Sequence, residues 1–528
     1  MSKTNDKKNQ ARSMASVRDL IKTVPELADI SEKAKAEGKA VVLAHGVFDL
    51  LHLGHVRHLE KARELGDVLM VTVTADQFVN KGPGRPVFPE ELRAEMLAAL
   101  EYVDWAGVNF EATAENLLEA IKPSVYVKGS DYGDAGDDPT GKIVNEQEIV
   151  EKHGGRLAFT DDLTFSSSQL INEHLLSRPP AVQNFLGQLR DGNRLEGLIR
   201  LIDRAAKTKA LFVGETILDE YLYVSPLGKT AKDSIIATQF HERELFAGGV
   251  IAAANHAASF CAEVEIVTVL GGNDDYEDFV RSLLAPNVTL SSVRLDGRPT
   301  IRKRRYVDSG SRYLGLLRKL FEVSHIDDTP ISDSEIRAIN NEIRSRVGKA
   351  DVVVVCDFGH GMIEKPMIET LMDKSKFLAV NAQANSANMG FNLITKYPKA
   401  DYICIDEREA RLAVCDKHMN IDDILKQLLI PRLNCDRFFV TRGSVGSSCW
   451  GRETGTKFVP ALEYGPVDTM GSGDAFLAIT AVLLALGGDV EDVGFIGNVV
   501  GGIKAKQIGH RTLIEKGDVK KAIIGLLK

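Results

Sequence analysis

Residues 45–55 read His45-Gly46-Val47-Phe48-Asp49-Leu50-Leu51-His52-Leu53-Gly54-His55, and this stretch decides the fold of the first third of the chain. The run before it, Val41-Val42-Leu43-Ala44, is continuously apolar, as expected of a strand buried in a parallel sheet. A glycine-marked turn ends that strand. His52-Leu53-Gly54-His55 then opens a helix carrying Val56, Leu59 and Ala62 at helical spacing. Two imidazoles three residues apart at a helix N-terminus form a site for phosphate. The free amides and the helix dipole favour negative charge, and Gly54 has no side chain to block a close approach. Ordinary surface histidines would account for neither the strand nor the Gly46-x-Phe48-Asp49 element before them.

Three later segments add cations, glycines and hydroxyls: Lys81-Gly82-Pro83-Gly84-Arg85-Pro86-Val87 with Arg93, Val127-Lys128-Gly129-Ser130-Asp131-Tyr132, and Phe165-Ser166-Ser167-Ser168-Gln169-Leu170-Ile171. With the first stretch they resemble the nucleotidyltransferases of the cytidylyltransferase-like superfamily. Its signature is G-x-F-D-x-x-H-x-G-H, followed by K-G-x-x-R-P-V…R, V-K-G-x-D-Y and S-T-T-x-I-I. The likeness runs from Lys39 to Asn172 and is strongest to the sugar-phosphate adenylyltransferases that make ADP-heptose. It implies a Rossmann-like domain over residues 39–176, preceded by a leader over 1–38. It also implies that His52 and His55 are catalytic, stabilising phosphate oxygens. Gly46, Phe48, Asp49, Gly54, Lys81, Arg85, Arg93, Lys128, Ser166, Ser167 and Ser168 would bind nucleotide or phosphate.

The chain has 528 residues, more than one ordinary core holds, so roughly two to four domains are expected. A net charge of −9 disfavours a nucleic-acid partner. The five basic residues between Arg298 and Arg305 read instead as a strand with exposed charge. The longest apolar stretch, Ala475 to Leu486, is too short to span a bilayer. The polar, lysine-rich start lacks the apolar region of a secretory signal. Six cysteines without a C-x-x-C pair suit a reducing cytoplasm, the expected location, better than disulfides or zinc.

Strand-like and helix-like runs alternate along most of the length, the pattern of α/β folds with parallel sheets. Ser177-Arg178-Pro179-Pro180 breaks the first domain, and residues 177–208 read as a linker with one amphipathic helix over Val182–Ala206. A new apolar strand begins at Ala210. The strongest signal beyond it is Asp468-Thr469-Met470-Gly471-Ser472-Gly473-Asp474-Ala475-Phe476. Glycines at the start of an apolar helix leave amides free as an anion hole, with an Asp placed to act as a base.

This run resembles the D-T-x-G-A-G-D-x-F signature of the ribokinase-like (PfkB) sugar kinases. Gly214-Glu215 through Tyr221, Gly248-Gly249, Cys356 through Gly361, and Thr441 through Gly446 resemble other elements of that family. The likeness spans residues 209–528 and implies a ribokinase-like α/β domain with a small β lid. Asp474 would be its catalytic base, and Thr441, Gly443, Gly446, Gly471 and Gly473 would hold nucleotide and phosphate. Asp219, Gly248, Gly249, Asn255 and Asp357 would bind sugar, and Glu409 would serve Mg²⁺. The departures concern the sugar floor: Ala252 stands where the family has Asn, Asn381-Ala382-Gln383 replaces D-P-K, and Asp406 replaces the Asn of N-x-x-E.

Together the resemblances imply a bifunctional enzyme of ADP-heptose-like synthesis, with the transferase ahead of the kinase, the reverse of the usual order. ATP, Mg²⁺, NTP and sugar phosphates would be its small-molecule partners, without nucleic acid or membrane, and a homodimer is expected by analogy. Two alternatives stand beside this reading. The kinase-like half could be a non-catalytic sugar-phosphate-binding or dimerisation module, and the transferase could use CTP.

Overall fold

A computed structural model of the chain describes residues 16–79, 85–129, 142–160, 178–310, 317–462 and 465–527. Two compact units emerge, Met1–Arg178 with Lys520–Lys528, and Pro179–Val519. Both are α/β.

In the first unit the described strands are β1 (Ile21–Lys22), β2 (Val41–Gly46), β3 (Val68–Thr74), β4 (Trp105–Asn109), β5 (Val125–Gly129) and β6 (Arg156–Thr160). They form one parallel sheet in the order β1-β4-β3-β2-β5-β6. The apolar run in β2 has a two-sided cause. Val42 and Ala44 join the core on one face of the sheet, with Leu59 and Ala62 of the helix Leu53–Glu64. Val41 and Leu43 join the core on the other face, with Leu27 and Leu118. Alternate side chains of a strand point to opposite faces, so a strand covered on both sides must be apolar throughout. From β2 the chain runs out to β3 and β4, then returns to place β5 on the other side of β2. That reversal makes the carboxyl ends of β2 and β5 a topological switch point, where open α/β sheets bind ligands.

In the second unit β7 (Lys209–Gly214), β10 (Glu263–Gly271), β11 (Val288–Leu295), β14 (Val352–Asp357), β15 (Leu378–Ala382), β16 (Lys399–Asp406), β17 (Asn434–Thr441), β18 (Gly446–Gly451) and β19 (Gly455–Pro460) build the main sheet. Its order is β11-β10-β7-β14-β15-β16-β17-β18-β19, parallel up to β17 and antiparallel beyond it. The switch point here lies between β7 and β14. A smaller sheet, β13-β12-β8-β9, is made of β8 (Thr216–Lys229), β9 (Ile236–Gly249), β12 (Arg302–Asp308) and β13 (Lys319–His325).

The segment read as one helix over Val182–Ala206 is two, Pro180–Asp191 and Leu195–Arg204. Gly192-Asn193 separates them, with Asn193 in the left-handed region at φ 50°, a conformation that ends a right-handed helix. Both helices belong to the second unit. Phe185 packs on Phe495, and Arg194 pairs with Asp492 at 2.8 Å.

Candidate active sites

In the first unit, His52 is the N-cap of the helix Leu53–Glu64, and its Nδ1 accepts the Gly54 amide at 3.1 Å. An accepting Nδ1 leaves the ring proton on Nε2. The His55 ring stacks on His52 with centroids 4.0 Å apart, and Phe48 packs against His55 at 5.2 Å. Phe48 is held at φ 47°, a region that non-glycine residues rarely occupy. Its ring lies 3.3 Å from where a Cβ on Gly46 would stand, so that glycine makes room for it. Asp49 is buried, accepts the Val87 amide at 2.5 Å and is ion-paired with Arg85. Only Nε of Arg85 faces that carboxylate. Its Nη1 and Nη2 are buried and, among the described residues, without a hydrogen-bond partner. A buried guanidinium edge with two open donor nitrogens suits a phosphate or carboxylate arriving from outside.

Lys128, at the end of β5, pairs with Glu146 at 2.9 Å. Burial works against its charge, but Tyr126 and Glu146 outweigh that and hold its pKa above the usual lysine value. His45 sits behind the site with Nδ1 2.9 Å from the Thr72 hydroxyl. Burial, helped by Lys128, pushes its pKa down to about 3, so it is neutral at physiological pH. Lys81, Ser166, Ser167 and Ser168 lie outside the described residues.

In the second unit, Gly471 caps the helix Ser472–Ala485 at φ 74°, and Asp474 lies in its first turn. A Cβ on Gly471 would meet the His510 ring 2.5 Å away at Cε1, so the imidazole lies directly over this turn. Gly473 is open, with nothing within 4 Å of a Cβ built there. Asp474 is desolvated, and burial raises its pKa to about 6; His510, Lys303 and Lys504 pull the other way, and Asp219 adds to the rise. A carboxylate with that pKa is ionised at neutral pH yet basic enough to take a proton.

The smaller sheet brings Lys303 of β12 within electrostatic reach of Asp474. Lys303, Arg305 and Val307 are buried, while Arg302, Arg304 and Tyr306 are half-buried. Lys303 is in register with Asp219 of β8. Asp219 is ion-paired with Arg305 and has His510 Nε2 at 3.6 Å. Burial would raise the Asp219 pKa, but the Arg305 guanidinium and the His510 hydrogen bond depress it well below the carboxylate range. Gly248 is a glycine because a Cβ there would collide with the Asp219 carboxylate. Gly249, at φ 59°, lets β9 turn into the helix Val250–Ala258. Thr441 ends β17, and Gly443 (φ 54°) and Gly446 (φ 128°) make the tight turn into β18.

Residues 207–516, more than half of the chain, match the family model of the pfkB family carbohydrate kinases. The chain belongs to the pfkB carbohydrate kinase family. Residues 43–173 match the cytidylyltransferase-like family model. In curated proteins the likeness covers the first unit. "Bifunctional protein HldE" of Syntrophotalea carbinolica is 40% identical over 154 residues, 29% of this chain and 30% of that protein. The protein of the same name from Geobacter sulfurreducens is 43% identical over 158 residues, 30% of this chain and 31% of that protein. The chain thus spans under a third of the length of these relatives. Among solved structures, Arabidopsis thaliana ribokinase with ribose and ATP matches at 17% identity and a TM-score of 0.46, covering 61% of this chain and 99% of that one.

Within this pfkB family chain, Asn255, Asp357 and Glu409 are engaged by other groups of the protein. Asn255 does not stand in for the missing sugar-loop asparagine: its amide donates to Leu283 O at 2.9 Å and accepts Ala285 N at 3.0 Å, fastening a neighbouring loop. Asp357 accepts the Gly359 amide, the Asn392 amide and, at 2.6 Å, the Tyr397 hydroxyl, and is ion-paired with Lys396. No part of that carboxylate is left for a sugar. Glu409 forms a capping box with Asp406 and also accepts the Ala384 amide at 3.0 Å. Burial and Asp406 raise its pKa.

In the first unit Arg93 is fully buried. It donates to the carbonyls of Phe88 (2.9 Å), Val47 (2.5 Å) and Thr74 (2.7 Å) and to Asp76 (2.5 Å). Four of its five donors are taken, so it braces the ends of β2 and β3 instead of meeting phosphate. Arg93→Leu should leave those carbonyls unpaired and cost about 3 kcal/mol or more. Urea unfolding followed by Trp105 fluorescence in a Trp450→Phe background would measure it.

The sequence assigned no site role to Lys303, Arg305, Asp468, Lys504 or His510, although Asp468 opens the D-T-x-G run and the basic stretch holding Lys303 and Arg305 lies where the family places phosphate contacts. Asp468 is a hub that accepts Tyr221 Oη at 2.8 Å, Lys319 Nζ at 2.7 Å and the amides of Met470 and Gly509. The strand alternation of residues 302–308 was the available signal for Lys303 and Arg305. Among the described residues no helix is long and apolar enough to cross a membrane.

Proposed function

We propose that the chain is a bifunctional transferase of nucleotide-sugar synthesis. The second unit phosphorylates a sugar phosphate with ATP, and the first joins a sugar 1-phosphate to a nucleotide from NTP. The observation that supports this most is the same in both units: a helix N-terminus beside a sheet switch point, flanked by groups suited to phosphate. In the first these are stacked His52 and His55 with the open edge of Arg85. In the second they are Asp474 and the Gly471 turn.

In the kinase step the acceptor hydroxyl oxygen bonds to the γ-phosphorus, its proton passes to Asp474, and the bond to the β-phosphate oxygen breaks to release ADP. The helix amides at Ser472–Asp474, with Lys303 and Arg305 nearby, hold charge on the moving phosphoryl group. Mg²⁺ enters on the ATP phosphates as part of the substrate. Among the described residues no three His, Cys, Asp or Glu side chains gather to hold a metal. The protein's share would be a carboxylate such as Glu409, since Mg²⁺ on a nucleotide commonly takes only one or two protein carboxylates.

In the transfer step a phosphate oxygen of the sugar 1-phosphate attacks the α-phosphorus in line and pyrophosphate leaves. His52 and His55 donate to the phosphate oxygens, and Arg85 neutralises charge. ATP as the nucleotide, and a heptose as the sugar, follow from the resemblance to ADP-heptose enzymes. The altered sugar floor at Ala252, Asn255 and Asp357 supports an acceptor held mainly from the Lys303–Arg305 strand.

The test pairs two assays on the full chain. Pyrophosphate release is followed with heptose and hexose 1-phosphates and each NTP, and ADP formation with ATP and sugar phosphates. Turnover in both is expected, and consumption of no NTP by any sugar 1-phosphate would sink the transferase half. Leu227, Ile235, Ile236 and Phe240 lie exposed on the β8–β9 hairpin. They support a homodimer through that sheet, to be read by sedimentation of Phe240→Asp against wild type.

A further inference from the structure

The helix Val490–Ala505 is apolar over most of its length, yet Lys504, one residue from its end, is fully buried. A lysine near a helix C-terminus ordinarily caps the last carbonyls of its own helix or reaches water. Lys504 does neither. Its Nζ donates to Met470 O at 3.0 Å and Gly509 O at 2.6 Å, two carbonyls from separate segments.

Met470 immediately precedes Gly471, the residue that caps the anion-hole helix. The same two segments are stitched together on either side of the ammonium. The Val467 and Asp468 amides donate to Ala505 O at 2.7 and 3.0 Å, and the Gly509 amide donates to Asp468 at 3.0 Å. Gly509 in turn precedes His510, whose ring covers Gly471. The ammonium therefore sits where the turn bearing the helix amides meets the segment bearing the imidazole. Burying a charged lysine is costly, and an uncharged side chain filling the same space would be the cheaper solution for stability alone.

We propose that Lys504 is the positioning residue of the anion hole: its ammonium ties Met470 and Gly509 together and holds the Gly471–Asp474 amides, with a fixed positive charge behind them, against the phosphoryl group in transfer. This deepens the kinase reading and rests on it. The charge lies within the field of Asp468 from the same turn, Asp474 from the helix, Asp219 from β8, Lys319 from β13 and His256 from the helix Val250–Ala258. Burial lowers the Lys504 pKa to about 8, against the pull of the three aspartates. The group is thus charged at neutral pH and loses its proton in mild alkali.

The test measures ADP formation by the full chain, with ATP and its sugar-phosphate acceptor, between pH 5 and 10. Wild-type kcat should fall as pH rises through about 8. Lys504→Met should lower kcat by roughly 30- to 100-fold with KM for ATP changed less than about threefold, and its remaining activity should lack the alkaline limb. Lys504→Arg keeps a charge that does not titrate in this range, and should regain part of the rate with the limb moved above pH 10. A Lys504→Met enzyme within threefold of wild type, or one that keeps the same alkaline limb, overturns the assignment while leaving the kinase reading intact. Wild-type protein that makes no ADP with any sugar phosphate overturns both. If Lys504→Met shows no cooperative unfolding by circular dichroism, the wild-type profile decides: a limb near pH 8 supports the assignment, and a kcat flat to pH 10 overturns it.

Discussion

Replacing Asp474 by Asn is expected to lower ADP formation by about 10³-fold, within the range for loss of a positioned general base. The substitution keeps the shape of the side chain and removes only its capacity to take a proton. Asp474 is half-buried in the first turn of the helix Ser472–Ala485, with a pKa raised to about 6 by desolvation. The sign of the pH effect follows from that. The base works when ionised, so wild-type kcat should rise as pH increases through about 6 and level off above it. The rise should vanish in the residual activity of Asp474→Asn. Because the folded protein holds this group less readily charged than water does, the neutral amide is expected to leave stability unchanged or slightly raised at pH 8. Pyrophosphate release in the same preparation serves as the control for folding and should be unaffected. ADP formation equal in wild type and variant would remove Asp474 from the role of base, and wild-type protein that forms no ADP while still releasing pyrophosphate would favour the non-catalytic role for the second unit.

Residues whose roles depend on local chain geometry were legible from the sequence. The apolar run of β2 announces a strand covered on both faces, and the glycines at 46, 54, 471 and 473 announce turns that open into helix N-termini. The β12 alternation was legible too, though its meaning was not: Lys303 and Arg305 read as exposed charge until the smaller sheet turned them toward Asp474 and Asp219. What stayed hidden was the choice of partner across long sequence separations. Asn255 reaches residues 283–285, Asp357 reaches 392–397, and Arg93 reaches back to Val47 and Thr74. Each has the residue type its motif calls for, and each is taken up by a contact that no spacing rule foresees. Lys504 is the opposite case. Its neighbours Ile503 and Ala505 make it look like a stray surface lysine at a helix end, and only the packing of the helix reveals that its charge has no route to water.

His55→Ala is expected to reduce pyrophosphate release by about 10²- to 10³-fold, the usual effect of removing one donor to a charged oxygen in a transition state, or roughly 3–4 kcal/mol. The two imidazoles are not equivalent, and the structure predicts different outcomes for them. His52 has a structural duty as N-cap, accepting the Gly54 amide through Nδ1. His52→Asn preserves that acceptor, since Asn is among the best N-cap residues, and removes the imidazole Nε2 donor. It should therefore lower kcat with little change in unfolding, whereas His52→Ala should also destabilise the unit by about 1 kcal/mol. His55 caps nothing. It packs between the rings of His52 and Phe48, so its truncation also loosens a loop already held in the left-handed region at Phe48. The loss should appear mainly in kcat, because donors aimed at developing charge contribute more to the transition state than to the bound substrate. Arg85→Met removes a donor edge that ground-state phosphates also use, so it should raise KM for NTP as well. Initial rates across NTP concentration separate the two patterns. A His55→Ala enzyme within threefold of wild type would show that the stacked histidines only build the turn, and that Arg85 with the helix amides supports the transfer without them.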